Sequence, residues 1–92
     1  MNNSMYNKIT TAATLYQTGT LKELYEYLLV EKNNIDEFFE VFLMKNKNLS
    51  KLSKTSPQWV TYDKKFAEYS EVESNLKTAK FYMERLLHSI SL

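Results

Sequence analysis

The stretch SPQWVTYDKKFAEYSEVESNLKTAKFYMERLLHSI, residues 56–90, decides the fold. Ser56 can cap a helix through its hydroxyl. Pro57 follows at the first helical position, where a missing N–H costs nothing. From Gln58 to Ile90 there is no glycine or proline to break a helix. Tyr62, Tyr69, Leu76, Met83 and Ile90 recur every seven residues, and Trp59, Phe66, Val72, Ala79, Leu86 and Leu87 widen that stripe. Glu73 and Lys80 stand where the stripe prefers apolar residues, with Val72 and Ala79 beside them. A helix over 57–90 spans roughly 50 Å at about 1.5 Å per residue. The mean globular helix has only about 11–12 residues, so one this long needs another helix or another chain along its apolar side.

A second stripe lies upstream. Leu21, Leu28, Ile35, Phe42 and Leu49 also repeat every seven residues, flanked by Leu24, Tyr25, Phe38, Phe39 and Leu52. Lys32-Asn33-Asn34 interrupts it with residues that favour turns. Asn34-Ile35-Asp36-Glu37 could cap a new helix there, giving two helices joined by a tight corner. The stripe keeps its phase across the asparagines, which favours one long helix over about 21–48, with or without a kink. Before it, Met5, Ile9, Ala12 or Ala13 and Tyr16 are spaced as on a short amphipathic helix over about 4–18. Gly19 is expected to end that helix in the left-handed conformation. Thr20-Leu21-Lys22-Glu23 reads as a capping box that starts the next. Asn46–Ser56 is polar, and a loop is expected over about 49–56. The expected fold is therefore all-α: a long antiparallel, coiled-coil-like helical hairpin with a short N-terminal third helix across one end, in one domain over 1–92.

Composition narrows the function. With 92 residues the chain has one core and a thin stability margin. Without cysteine it has neither disulfides nor thiolate zinc sites to widen that margin, and a partner chain is the addition left open. The longest apolar runs, Tyr27–Val30 and Val41–Met44, are far below the roughly 18–20 residues of a membrane span. Residues 1–7 show no leader-like basic cluster, and a soluble, cytoplasmic protein with no membrane association is expected. One glycine and one proline in the chain argue against a β-rich fold. The wealth of Asn, Lys and Tyr fits coding in an AT-rich genome, such as that of a low-GC bacterium, its phages or its mobile elements.

No catalytic or metal constellation is present. His88 is the single histidine, Glu84 four residues before it has no matching partners, and a histidine in a last helical turn ordinarily complements the helix dipole. The Glu-x-x-His pairs of di-metal bundles, a phosphate loop, a nucleophile elbow and His-Glu-x-x-His are all missing. No enzyme activity, cofactor, metal or small-molecule substrate is expected.

Two features carry chemistry of recognition. Lys45, Lys47, Lys51 and Lys54 lie in a stretch from Val41 to Tyr62 that holds no acid, and with Trp59 they could contact a nucleic-acid strand through phosphates and stacking. Their plainer explanation is a helix C-terminus and an exposed loop, where cations are favourable. The net charge of only +1 gives no bulk attraction to nucleic acid. The aromatic residues say more, at 14% of the chain. Phe38-Phe39 and Phe81-Tyr82 are adjacent pairs, and both members of a pair cannot point into one two-helix seam. One must face a third element or a partner. Tyrosine and phenylalanine are also prominent in interface cores. Tyr25, Phe38, Phe39, Phe42, Trp59, Tyr62, Phe66, Phe81 and Tyr82 are thus the candidate interface residues.

In length, and in having Trp59 near the inter-helix loop, the layout resembles the WxG-type secreted helical-hairpin proteins. Trp59-Val60-Thr61 lacks that family's glycine and no tyrosine-led secretion signal follows, so membership is not assigned. The expected function is a non-enzymatic protein–protein interaction module or small regulator that binds a protein partner or itself as a homo-oligomer. A phage or mobile-element accessory protein modulating a host or defence factor would fit. The alternative is a nucleic-acid-binding regulator acting through segment 45–54 and Trp59.

Overall fold

The computed structural model describes the backbone of residues 4–90 and the side chains of residues 4–86. It is all-α, with three helices and no strand among the described residues: α1 Ser4–Thr14, α2 Thr18–Lys45 and α3 Pro57–Ile90, with a single 3-10 turn at Leu49–Lys51. No helix among the described residues is long and apolar enough to cross a membrane.

α3 has the bounds read from the sequence, and Ser56 opens it as expected: the Trp59 N–H points to the Ser56 hydroxyl at 3.5 Å. α2 runs unbroken through Lys32-Asn33-Asn34. Leu28 and Ile35 on either side are both buried, and that packing outweighs the turn preference of two asparagines. α2 stops at Lys45, short of the expected 48. Asn46 ends it by giving both its backbone N–H and its side-chain amide to the Phe42 carbonyl, at 3.0 and 2.8 Å.

The corner between α1 and α2 differs from its sequence reading. α1 ends at Thr14, and α2 begins at Thr18 rather than Leu21. The left-handed residue is Tyr16, with φ of 57°, and Gly19 lies inside the first turn of α2. The Gln17 N–H donates to the Ala12 carbonyl at 2.8 Å and the Tyr16 N–H to Ala13 at 3.2 Å. This is the paired bonding of a Schellman ending, built on a tyrosine instead of a glycine. Gln17 is the N-cap of α2 and makes no side-chain capping bond, so the Thr20–Glu23 box does not operate.

α2 and α3 run antiparallel, as their partners show: Lys32 meets Glu73, Phe39 meets Tyr69 and Tyr62, and Leu49 meets Trp59. As the number rises along α2 it falls along α3. α1 packs on both helices at the open end of the hairpin. There Ile9 and Ala12 join Leu21, Leu28, Ile35, Val72, Leu76, Ala79 and Leu86 in one buried aliphatic cluster. Toward the loop that cluster stops at Ile35 and Val72, and beyond it only Leu49 is buried. The molecule is thus a rod of 56 × 24 × 16 Å whose two halves differ: three helices around aliphatic residues, then two helices joined by aromatic ones.

Candidate interaction face

The loop-proximal half is held by a ladder of rings. Along α3, Trp59 meets Tyr62 edge-on at 5.3 Å, Tyr62 stacks on Phe66 at 6.2 Å and Phe66 on Tyr69 at 6.4 Å. Along α2, Phe38 stacks on Phe42 at 5.6 Å and meets Phe39 edge-on at 6.0 Å. Phe39 crosses to Tyr62 at 5.2 Å, and Phe42 reaches the same ring at 6.4 Å. The seven-residue spacing puts Phe42, Tyr62 and Tyr69 at the helix–helix seam with the other rings beside them, and offset or edge-on contacts add about 0.5–1.5 kcal/mol per pair beyond burial. None of the seven is fully buried, because no third helix covers them.

Phe38 and Phe39 divide between the two faces of this half. Phe38 continues the row of α2 that Tyr27 and Glu31 occupy beside Met5 of α1, and the Lys65 ammonium stands 4.9 Å over its ring. Phe39 lies on the opposite face, where Asp36, Leu43, Tyr62, Phe66 and Tyr69 line a shallow groove with it. That groove continues toward the loop through Leu43 and Tyr62 to Asn46, Lys47, Leu49, Ser50 and Trp59. Along it Phe66 is 51% exposed and Leu43 is 47% exposed. Large apolar side chains open to water, beside rings that already touch one another, make a contiguous patch, unlike apolar residues scattered singly.

The structure therefore gathers Phe38, Phe39, Phe42, Trp59, Tyr62 and Phe66 and adds Tyr69 and Leu43, which the sequence reading did not single out as site residues. Three candidates lie elsewhere. Tyr25 and Tyr82 are half-buried against the aliphatic cluster. Phe81 is 53% exposed, with the Arg85 guanidinium 5.6 Å over its ring, far along α3 from the ladder. His88 lies outside the described side chains. Among the described residues no group of acids, histidines or cysteines is placed to hold a metal ion.

Comparison with known proteins adds no family: no family model, curated protein or solved structure matches the chain.

Trp59 works as a clasp. Its indole N–H donates to the Leu49 carbonyl at 2.9 Å across the loop, and the Lys54 ammonium sits 3.4 Å over its ring. One face and the N–H edge are thereby used within the chain, which takes away much of the stacking platform that a nucleic-acid strand would need. Lys45, Lys47, Lys51 and Lys54 are exposed around the loop.

Where the aromatic half meets the aliphatic half, one polar cluster sits in the seam. Lys32 bonds Glu73 at 2.8 Å, and the Tyr69 hydroxyl donates to the same carboxylate at 3.1 Å. The lysine first and then the tyrosine hold Glu73 below the usual carboxylate range. The carboxylate in turn raises the pKa of both Lys32 and Tyr69, by hydrogen bonding before charge. The polar residue that looked like a defect in the α3 stripe is a paired one. On the other side of the rod, Glu31, Glu68 and Glu71 gather near Met5. α1 has no acid in its own first turn, and these acids supply negative charge near the positive end of its dipole.

Proposed function

We propose that this chain is a non-enzymatic protein–protein interaction module that binds through the aromatic groove of its loop-proximal half. One observation carries the reading. α1 completes the packing of the open end, while the other end is left as a single layer of two helices with Phe66 and Leu43 open to water. Helical domains reach stability as two packed layers, and here the second layer ends halfway along the rod. The groove is aromatic, with Asp36 toward one end and Lys47 toward the other, and an apolar centre with a polar rim is usual in protein-binding surfaces. Interface hot spots concentrate in such central aromatic residues, and Tyr62 and Phe66 occupy that position.

Site-specific photo-crosslinking tests the reading. A photoreactive residue at 43 or 66 is expected to trap protein adducts in the native host. The same residue at 30 or 60 serves as the control, because Val30 and Val60 are 59% and 57% exposed and do not line the groove. Equal adducts at all four positions, or none at any, would contradict the proposal.

A further inference from the structure

Resting on the reading just given, we infer that the occupant of the aromatic groove is a second copy of this chain, seated antiparallel across a two-fold axis. The groove is polar along its length in the sense of charge. Its inner end carries Asp36, with Glu40 one helical turn along α2. Its outer end carries Lys47, and the loop beyond adds Lys51 and Lys54. No acid occurs between Val41 and Tyr62 in the sequence, while that stretch holds four lysines. A two-fold rotation about an axis through the groove near Leu43 and Phe66 turns one copy end for end. Lys47, Lys51 and Lys54 of each copy then lie against Asp36 and Glu40 of the other, twice over. A single surface that complements itself in this way is what an isologous interface requires.

The layers agree with the charges. The exposed half is two helices wide, so another two-helix layer of the same length covers it, giving four helices around the rings. The Leu43 and Phe66 side chains of the two copies meet at the axis and leave water. Tyr62 and Trp59 flank them. Parallel stacking of two copies would instead bring lysine to lysine and acid to acid.

Sedimentation equilibrium on the full chain, from a few to several hundred micromolar, decides the matter. Wild type is expected to dimerise, more weakly at high salt because part of the attraction lies between rim charges. Phe66→Ser, with its helicity checked by circular dichroism, is expected to be monomeric; Leu43→Ser carries the same expectation should Phe66→Ser lose helix. Asp36→Lys and Lys47→Glu should each weaken the dimer about tenfold or more, because the two-fold axis makes each substitution turn two attractive contacts into repulsions. Mixed in equal amounts, those two variants should recover association, since every cross-copy pair is then opposite in sign. Failure of the mixture to recover overturns the antiparallel geometry. A wild type that stays monomeric throughout overturns the second copy as occupant. Crosslinks to another protein at position 66 but not 60 would then leave the interaction face standing, and their absence would end both.

Discussion

Tyr16 turns the chain between α1 and α2 with a φ of 57°. Its left-handed backbone is normally a glycine position, and its side chain is 74% exposed, so little packing offsets the strain. Tyr16→Gly is expected to stabilise the fold by about 0.5–1 kcal/mol, seen as a rise of a few degrees in the thermal midpoint. Gly19 gives the complementary test. It is helical, and a methyl group there meets nothing within 4 Å. Gly19→Ala should therefore stabilise, by up to about 1 kcal/mol. A loss of stability in that variant would restore Gly19 to the helix-ending role that its sequence context suggests. The Thr20–Glu23 box and the glycine are local signals. What overrides them is a pair of backbone bonds from residues 16 and 17 into α1, and no side-chain type announces those.

Glu73 also belongs to the residue scale. Because its folded-state pKa lies below the usual carboxylate value, its contribution is complete above that usual value. It fades as pH falls through the lowered one. Lys32 and Tyr69 have raised values, so their share is complete below the ordinary lysine and tyrosine range and fades as pH rises through the raised values. Stability should thus be flat between these limits, from about pH 5 to pH 10 as far as this cluster is concerned. Glu73→Gln should flatten both edges, measurable as urea midpoints across pH. Unchanged edges in that variant would mean that the cluster contributes nothing to the pH dependence.

At the scale of elements, the two halves of the rod should respond differently to truncation. Ile9 in α1 is fully buried among side chains of all three helices. Ile9→Ala is expected to cost about 2–5 kcal/mol, a large share of a small domain's stability. Phe66→Ser on the open face loses two ring contacts but little burial, and should cost about 1–2 kcal/mol, less than Ile9→Ala. Urea denaturation of both variants checks this, and equal losses would contradict the division into a closed and an open half. The existence and bounds of α3 were legible because thirty-odd residues repeated one pattern without a breaker. The rings of the ladder were legible for the same reason, as Phe42, Tyr62 and Tyr69 sit in the seven-residue rows. The side of the seam to which Tyr25 and Tyr82 belong was not. That depends on where α1 lies across the hairpin, a long-range fact that periodicity within one helix does not contain. The contacts of Trp59 were not legible either. Its neighbourhood of lysines suggested a binding platform, while its bonds to Leu49 and Lys54 make it the clasp of the loop.

On the scale of the whole molecule the rod is covered unequally, by three helices at one end and two at the other, and the proposed second copy would complete the aromatic half. Hydrogen exchange followed by mass spectrometry at several protein concentrations tests it most directly. At low concentration the amides around Leu28, Leu76 and Ala79 should be the slowest, with faster exchange in 38–45 and 59–69. Raising the concentration should slow exchange in those two segments while the α1 end stays as it was. Uniform protection along both long helices, unchanged by concentration, would contradict the account.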